Sequence, residues 1–373
     1  MNETVYLRPI ALTQSPQADD GETVRLAGGL ACASRFALLV RQEGRQDGRI
    51  VSRQVVGAGD VPAAIAALPD ALAAEAGAQW ANMRKSHGPI GCGERVLRLD
   101  QPLVMGILNV TPDSFSDGGQ FLDKPEAALD HAAAMLAAGA AVIDVGGEST
   151  RPNAAAVWEG DEIRRVVPVI ERLAASGAAI SIDSRRSSVI AAALAAGAHI
   201  VNDVSALRHD PRSLEIVAAS GAPVVLMHAP GGADDLHADG HYRDVVLDVF
   251  DDLRARRDAA LGAGIAGDRI LLDPGIGFGK TLADNLALIN ALPLFHALGQ
   301  PILFAASRKR MIGALSNAAP AHQRLGGSVT LAIKALEAGC QMVRVHDVAD
   351  TVQALRVWRG LRDAALTDFS QVA

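Results

Sequence analysis

Short apolar runs alternate with longer amphipathic stretches from about residue 101 onward. The runs are rich in Val, Ile and Leu, which is typical of parallel strands buried on both faces. The stretches between them, such as KPEAALDHAAAMLAAG, have the spacing of amphipathic helices, and most end in glycine. The pattern predicts eight strands, each followed by a helix, over residues 102–110, 140–147, 178–184, 199–206, 222–228, 269–275, 301–307 and 342–348.

Polar residues at the ends of these strands favour one α/β architecture over another. Units of this number and size, about 270 residues in all, match a (β/α)8 TIM barrel, although a doubly wound open sheet shows the same alternation. A lone strand-end Asp or Asn is more often a turn or helix-cap residue, but capping does not readily explain so many polar ends in one chain. Because active sites of barrels lie at the carboxyl ends of the strands, these side chains would surround one mouth. They are Asn109, Asp144, Asp183, Asn202, Asp203, His228, Asp273, Ser307, Arg344 and His346.

The first 94 residues have a different pattern and are predicted to form a small α/β extension packed against the barrel. Three segments suggest strands, an alanine-rich segment suggests a helix, and SHGPIGCGE is the predicted junction. The strands fall in 4–12, 33–42 and 49–56, and the helix in 60–85. The predicted division is therefore an extension over residues 1–94, whose role the sequence does not reveal, and a barrel over residues 95–373.

Composition excludes several classes of protein. A net charge of −7 and a pI near 5.8 predict no general binding to nucleic acid or to acidic membranes. No uncharged apolar run is long enough to span a bilayer, and the N-terminus lacks the pattern of a secretory signal. The scattered Cys32, Cys92 and Cys340 suit neither a disulfide framework nor a metal knuckle. We expect a cytoplasmic globular protein.

The predicted mouth carries both signs of charge. Carboxylates such as Asp183 and Asp273 can accept hydrogen bonds from the donor edge of a heterocycle, whereas Arg344 suits phosphate oxygens. Two long polar loops, 109–125 and 146–161, would lie above the mouth, where loops commonly close over a substrate. A polar ring that carries an anionic group is the predicted ligand.

The glycine-rich stretch DPGIGFGKT, residues 273–281, is not a nucleotide-binding P-loop. That loop requires glycine five residues before the glycine of Gly-Lys-Thr, and Pro274 occupies the position. Glycines here alternate, at Gly275, Gly277 and Gly279. We expect them to allow a tight turn after the sixth strand, with Lys280 not serving as a phosphate ligand.

Taken together, the motifs resemble those of the dihydropteroate synthases. The resemblance extends from about residue 95 to the C-terminus and preserves the order and spacing of the motifs. It rests on MGILNVTPDSFSDGG (105–119), DVGGESTRP (144–152), ISIDS (180–184), IVNDVSA (200–206), LMH (226–228), DPGIGFGK (273–280), SRK (307–309) and RVHDV (344–348).

This resemblance implies a cytoplasmic TIM-barrel transferase of folate biosynthesis. Enzymes of the family join 6-hydroxymethyl-7,8-dihydropterin pyrophosphate to p-aminobenzoate, form 7,8-dihydropteroate and release pyrophosphate with the help of Mg²⁺. The resemblance also implies sulfonamide inhibition and a homodimer formed through the outer helices.

Each site residue has a role implied by the resemblance. The pterin-binding groups would be Asp183, Asn202, Asp273 and Lys309, with Met227 lining the pocket. The anion would be held by Asn109, Arg344 and His346, with Asn109 also a Mg²⁺ ligand. The p-aminobenzoate pocket would be formed by Thr150, Arg151, Pro152 and Phe278, and the residues expected to act in catalysis are Asp117, Lys309, Arg344 and His346.

The expected chemistry is ionisation of the CH₂–O bond as pyrophosphate leaves, because the electron-rich pterin delocalises the positive charge. Asp117 is the candidate for stabilising this cation or assisting the incoming amine. No covalent enzyme intermediate is expected, so neither a serine nor a cysteine nucleophile is required.

Two alternative functions remain open. A methyltransferase that uses methyltetrahydrofolate would share the Asp and Asn contacts to the pterin but would not need the STRP loop or the Arg344–His346 pair. A non-catalytic pterin-binding barrel would not need the complete set of site residues. Asn153, Ala305 and Arg310 depart from the commonest form of the motifs and bear on the binding of p-aminobenzoate and sulfonamides.

Overall fold

The N-terminal region forms a small antiparallel sheet accompanied by two helices. A computed structural model describes residues 3–13, 23–42, 50–111, 125–150, 157–231 and 235–365 of the chain. The central strand β3 pairs with β1 on one side and with β2 and β4 on the other. These elements are β1 (Glu3–Thr13), β2 (Val24–Arg25), β3 (Cys32–Gln42), β4 (Ile50–Gly57), α1 (Val61–Ala66) and α2 (Asp70–Arg84).

The helix predicted over residues 60–85 is two helices, so the expectation of one continuous helix is wrong. Pro69 stands between them, as the N-cap residue of α2. Proline lacks an amide hydrogen and disfavours helical geometry at the residue before it, here Leu68, so α1 ends upstream.

A side chain from α2 forms hydrogen bonds with the backbone along the outer edge of β1. The Leu7 amide donates to Gln79 Oε1 at 2.8 Å, and Gln79 Nε2 donates to the Val5 carbonyl at 2.7 Å. Gln79 is buried, so these backbone groups are paired away from water. The glutamine takes the place of a further strand at this edge.

Eight parallel strands form the predicted (β/α)8 barrel. They are hydrogen-bonded in the order β12-β11-β10-β9-β8-β7-β14-β13, and a bridge between Leu272 and Ile302 joins the two end strands. Each strand lies within the apolar run that predicted it, but is shorter. The strands are β7 (Leu103–Asn109), β8 (Val142–Gly146), β9 (Ile180–Asp183), β10 (Ile200–Asp203), β11 (Val224–Met227), β12 (Ile270–Asp273), β13 (Leu303–Phe304) and β14 (Met342–Val345).

Helices follow the strands and bury their apolar faces in the main hydrophobic core. Two of them begin at residues suited to capping: Asp244 accepts hydrogen bonds from the first turn of α7, and Thr281 forms a capping box with Asp284 at α8. No helix in the described part of the chain is long and apolar enough to cross a membrane. The helices are α3 (Pro125–Ala138), α4 (Glu159–Ala175), α5 (Ser187–Ala195), α6 (Ser213–Ser220), α7 (Val245–Gly262), α8 (Leu282–Asn290), α9 (Arg310–Leu315), α10 (Leu325–Glu337) and α11 (Val348–Ala365).

A two-stranded hairpin, β5 (Ile90–Cys92) and β6 (Arg95–Leu97), fills the end of the barrel opposite the carboxyl ends of the strands. Its buried side chains form a second core cluster with the first residues of several barrel strands, including Met342 and Leu303. Ala305 packs in the same cluster. The predicted domain boundary at residue 94 falls in the turn of this hairpin, and a division of the chain there stays a prediction.

The N-terminal sheet contacts α7 through an ion-pair network at its interface with the barrel. Arg41 donates to Asp248 at 2.7 Å and also to Asp251, and the Tyr6 hydroxyl donates to Asp251 at 2.8 Å. The Tyr6 ring packs edge-on against Phe250, with centroids 5.6 Å apart. The extension is therefore joined to the barrel by both apolar packing and charge.

Candidate active site

The carboxyl ends of the strands bring the predicted pterin-binding residues to one mouth. Strand register places Asn109, Gly146, Asp183 and Asn202 level with one another across β7 to β10. Met227 lies level with Asp273 across β11 and β12. Residues far apart in the sequence are therefore neighbours because parallel strands align their ends.

Arg344 lies between two acids of this mouth. Its Nε donates to Asp144 Oδ2 at 2.5 Å, and Nη2 donates to Asp183 Oδ2 at 2.6 Å. Asn202 Nδ2 donates to the same Asp144 oxygen at 3.1 Å. The four side chains form one hydrogen-bonded group, which we call the acid–arginine cluster. Arg344 thus lies among the acids in this structure.

The cluster contains two carboxylates and one guanidinium. Burial raises the pKa of Asp183, while attraction to Arg344 opposes that change. Burial would lower the pKa of Arg344, but Asp144 and Asp183 raise it overall. Among the described residues Asp144 Oδ1 has no hydrogen-bond partner, although the side chain is fully buried. The cluster therefore retains acceptor capacity for a ligand that donates hydrogen bonds.

Asp273 and Lys309 lie on the other side of the mouth, around the glycine-rich turn. Asp273 Oδ1 accepts a hydrogen bond from the Gly275 amide at 2.7 Å, and Lys309 Nζ donates to the Ile276 carbonyl. Burial raises the pKa of Asp273 and lowers that of Lys309 to about 8, with attraction between the two opposing both shifts. Lys309 Nζ lies 4.6 Å from the centroid of the Phe278 ring.

Met227 and Phe278 belong to one small apolar cluster. Both side chains are buried, together with Val204, Ala229 and Leu236. The predicted lining residue of the pterin pocket and the predicted wall of the p-aminobenzoate pocket are therefore adjacent. An apolar wall beside charged groups suits a flat ligand with polar edges.

The Lys280 side chain forms hydrogen bonds with backbone carbonyls inside the glycine-rich turn. Its Nζ donates to the carbonyls of Gly275 at 2.8 Å and Phe278 at 3.1 Å, and lies 2.9 Å from His228 Nδ1. Burial lowers the pKa of Lys280 to about 7. The Lys280 amino group thus contacts the backbone of its own turn, and its absence from the phosphate ligands stays a prediction.

Two more predicted residues lie at the mouth. His346 Nδ1 lies 3.0 Å from Ser307 Oγ, and the His346 amide donates to the same oxygen at 3.2 Å. Asn109 is half-buried at the end of β7, and its Oδ1 would lie 3.5 Å from a Cβ on Gly146. Position 146 therefore lies beside both the Asn109 carboxamide and the Asp183 side chain.

The structure describes only parts of the two polar loops that were predicted to lie above the mouth. Thr150 is described, and its carbonyl oxygen lies 2.7 Å from His237 Nε2. The predicted residues Asp117, Arg151 and Pro152 lie outside the described residues, as does Asn153.

Three residues with contacts at the site had no role assigned from the sequence. Asp144 was identified as a polar strand end, but its contacts with Arg344 and Asn202 depend on the closed barrel. Ser307 was identified in the same way. The sequence predicted no role for His237, because a single histidine in a polar loop belongs to no recognisable motif. By contrast, Asp203 forms a turn, accepting hydrogen bonds from the Ser205 amide and hydroxyl.

Comparison with known proteins identifies relatives over most of the chain. The family model for pterin binding enzymes matches residues 105–346. Dihydropteroate synthase from Escherichia coli strain K12 is 46% identical over 265 residues, covering 70% of this chain and 92% of the relative. The structure of Xanthomonas albilineans dihydropteroate synthase with 4-aminobenzoic acid is 48% identical, with a TM-score of 0.69, covering 74% of this chain and 99% of that one. The same enzyme in complex with 7,8-dihydropteroate gives 46% identity and a TM-score of 0.66, with coverage of 74% and 99%. The chain therefore belongs to the dihydropteroate synthase family of pterin-binding enzymes.

Proposed function

We infer that this transferase joins 6-hydroxymethyl-7,8-dihydropterin pyrophosphate to p-aminobenzoate, releasing pyrophosphate, and that three groups of side chains divide the work. The observation that carries the assignment of roles is the acid–arginine cluster. It places Asp144, Asp183, Asn202 and Arg344 in one buried group at the barrel mouth. Such a group offers acceptors for a heterocycle beside a cation for a leaving anion.

The first group binds the pterin. Asp183 and Asp273 accept hydrogen bonds from the donor edge of the ring, and Asn202 contributes a carboxamide. Lys309 donates to a ring acceptor, and Met227 packs against the ring face. Both carboxylates are buried, so their hydrogen bonds to the ligand form with little competition from water.

The second group holds pyrophosphate. Arg344 and His346 stabilise the negative charge that develops on the leaving oxygen. Asn109 supplies a carboxamide oxygen that suits Mg²⁺, an ion that commonly retains water and binds substrate phosphates with one or two protein ligands. When bound, Mg²⁺ would neutralise charge on pyrophosphate.

The third group forms the p-aminobenzoate pocket. Phe278 provides an apolar wall, and Thr150 lies at the start of the STRP segment. Arg151 and Pro152 complete the predicted pocket, and Asp117 is the predicted residue beside the cation or amine.

In the proposed mechanism, the CH₂–O bond breaks and its electron pair leaves with pyrophosphate. The pterin ring delocalises the cation, and the neighbouring carboxylates stabilise it. The amine nitrogen of p-aminobenzoate then forms the C–N bond and loses a proton. A closed pocket excludes water, which would otherwise capture the cation.

The experiment incubates purified protein with both substrates and Mg²⁺ and measures pyrophosphate and 7,8-dihydropteroate. We expect Asp183→Ala to lower kcat/KM for the pterin substrate at least about 100-fold. The exposed carboxylate variant Asp268→Ala serves as the control and should retain wild-type turnover. Methyl transfer from methyltetrahydrofolate without pyrophosphate release would instead support the methyltransferase alternative.

Metal dependence is tested separately. Chelation should abolish turnover, and Asn109→Ala should raise the Mg²⁺ concentration needed for half-maximal rate about tenfold. An unchanged Mg²⁺ requirement in Asn109→Ala would remove this residue from the proposed metal ligands.

We also propose a cytoplasmic homodimer that forms through the outer helices. On α11, Val357 and Leu361 are 59% and 71% exposed, and their spacing of one helical turn places both on the same face. We propose that these two side chains contribute to the contact between the chains. Sedimentation velocity should give the mass of two chains, and a monomer at micromolar concentration would contradict the proposal.

A further inference from the structure

His237 contacts two residues of the proposed p-aminobenzoate pocket at once. Its Nε2 lies 2.7 Å from the carbonyl oxygen of Thr150. Because a carbonyl can only accept, Nε2 carries the hydrogen in this contact. The imidazole also stacks on the Phe278 ring, with centroids 5.1 Å apart and planes inclined by 14°. One side chain thus joins the segments that follow β8, β11 and β12.

The loop that carries His237 has other anchors. Leu236 is buried in the apolar cluster with Met227 and Phe278. The Gly240 amide donates to the Gly279 carbonyl at 3.0 Å, and the His237 amide donates to Asp235 Oδ1 at 2.9 Å. Replacement of the imidazole should therefore leave the backbone of the loop in place.

The two contacts differ in what they can position. Stacking restricts the Phe278 ring, which Lys309 Nζ contacts from 4.6 Å. The hydrogen bond restricts the Thr150 backbone at the start of the STRP segment. Both restrictions act on the pocket proposed for p-aminobenzoate, whereas the acid–arginine cluster has no contact with His237 among the described residues.

We propose that His237 is a positioning residue for p-aminobenzoate, holding the Phe278 ring and the Thr150 carbonyl as opposite sides of one pocket. This inference rests on the proposed function and deepens it. His237 acts through those two neighbours, so its removal should weaken binding of p-aminobenzoate while binding of the pterin substrate is retained.

The experiment compares steady-state constants of the full-length wild type with those of His237→Ala, His237→Gln and His237→Phe. In His237→Ala we expect KM for p-aminobenzoate to rise about tenfold, with kcat and KM for the pterin substrate within about twofold. Gln retains a hydrogen-bond donor and Phe retains the stacking ring, so each should restore part of the affinity. His241→Ala, an exposed histidine of the same loop, is the matched control and should behave as wild type.

A double-mutant cycle with Phe278→Ala tests whether His237 acts through the ring. The combined variant should raise KM for p-aminobenzoate by less than the product of the two single effects. An unchanged KM for p-aminobenzoate in His237→Ala would overturn the inference. A rise in that KM in the double variant equal to the product of the two single effects would do the same. A similar impairment of kcat, of KM for the pterin substrate and of KM for p-aminobenzoate in His237→Ala would also overturn it. Wild-type turnover tests the proposed function itself, so absence of pyrophosphate release in the wild type would be a different failure.

Discussion

At the scale of single residues, Asp144 shows how a buried acid can organise a site although the sequence assigned it no specific role. It accepts hydrogen bonds from Arg344 and Asn202 through one oxygen, and its other oxygen has no partner among the described residues. Neutralising Asp144 would leave Arg344 paired with Asp183, but would weaken the charge-assisted hydrogen bond that Arg344 donates to Asp144.

We predict that Asp144→Asn lowers the free energy of unfolding by about 1–2 kcal/mol, because the hydrogen bond from Arg344 then goes to a neutral acceptor. It should also lower kcat/KM for the pterin substrate at least about tenfold, because the carboxamide keeps one acceptor oxygen but lacks the charge that holds Arg344 in place. Urea unfolding and steady-state kinetics measure the two effects. Asp268→Asn changes an exposed acid and should alter stability by no more than about 0.5 kcal/mol. Equal stability and activity of Asp144→Asn and wild type would show that the ion pair has no such role.

Lys280 gives a pH-dependent prediction at the same scale. Burial lowers its pKa from the ordinary value of 10.5 to about 7 in the folded protein. Between those two pH values the unfolded chain binds more protons at this residue than the folded chain does. Its contribution to stability therefore rises with pH across this window, and stays constant below it, where the lysine is charged in both states.

Lys280→Met should remove that rise. From pH 7 to pH 10, we expect the free energy of unfolding of the wild type to increase by a few kcal/mol relative to that of Lys280→Met. Chemical unfolding at successive pH values measures it. Lys334→Met, which replaces a lysine whose side chain is 52% exposed, should show no comparable slope. A pH-independent difference for Lys280→Met would mean that the lysine is not titrating in this range.

At the scale of secondary-structure elements, a glycine allows a tight turn after β12, and a glutamine pairs with the backbone at the edge of β1. Gly275 has φ of +70°, and a Cβ there would lie 1.9 Å from the His228 carbonyl oxygen, so the turn after β12 requires glycine. Gln79 instead pairs the exposed edge of β1 with side-chain groups. The first requirement is partly visible in the sequence as a glycine-rich run, whereas the second depends on how α2 packs beside the strand.

We predict that Gln79→Ala lowers the free energy of unfolding by about 2–3 kcal/mol, because the Leu7 amide and Val5 carbonyl lose their partners in a buried place. Thermal or urea unfolding measures the change, and turnover at low temperature should remain near wild type. Gln54→Ala on the exposed strand β4 is the matched control. If Gln79→Ala lowers the free energy of unfolding no more than Gln54→Ala does, then water replaces the glutamine as the partner of the Leu7 amide and the Val5 carbonyl.

At the scale of the whole molecule, the extension and the barrel share an interface that contains charge. Arg41 is 7% exposed and contacts both Asp248 and Asp251 of α7, while Tyr6 packs on Phe250. Buried apolar contacts across the interface belong to the same core cluster as the barrel helices. We therefore expect the extension and the barrel to unfold together.

Arg41→Ala should lower the free energy of unfolding by about 1–3 kcal/mol, since it leaves two acids at the interface without this cation. In a background that carries Trp158→Phe and Trp358→Phe, fluorescence of Trp80 reports on the extension, and far-ultraviolet circular dichroism reports on the whole chain. With Arg41 present, the two transitions should coincide. Arg35→Ala, at an exposed position of β3, is the control. Separate transitions in the presence of Arg41 would show that the extension folds independently.

The eight strands, the polar residues at their ends and the family could all be predicted from the amino-acid sequence. Local patterns suffice for these features, because burial on both faces selects apolar strands and the carboxyl ends of parallel strands meet on one side. Asp183, Asn202 and Asp273 could therefore be assigned to one mouth before any distance was known. The break at Pro69 also has a local cause, which the reading of one alanine-rich helix overlooked.

The contacts between individual side chains could not be predicted in this way, because they depend on the folded arrangement. Arg344 lies between Asp144 and Asp183, and His237 stacks on Phe278, because barrel closure and loop packing bring distant segments within hydrogen-bond or van der Waals range. Sequence separation carries no information about such contacts: Arg344 is 200 positions from Asp144, and Thr150 is 87 positions from His237. Periodicity records whether a residue is buried, but a contact depends on the three-dimensional path of both segments.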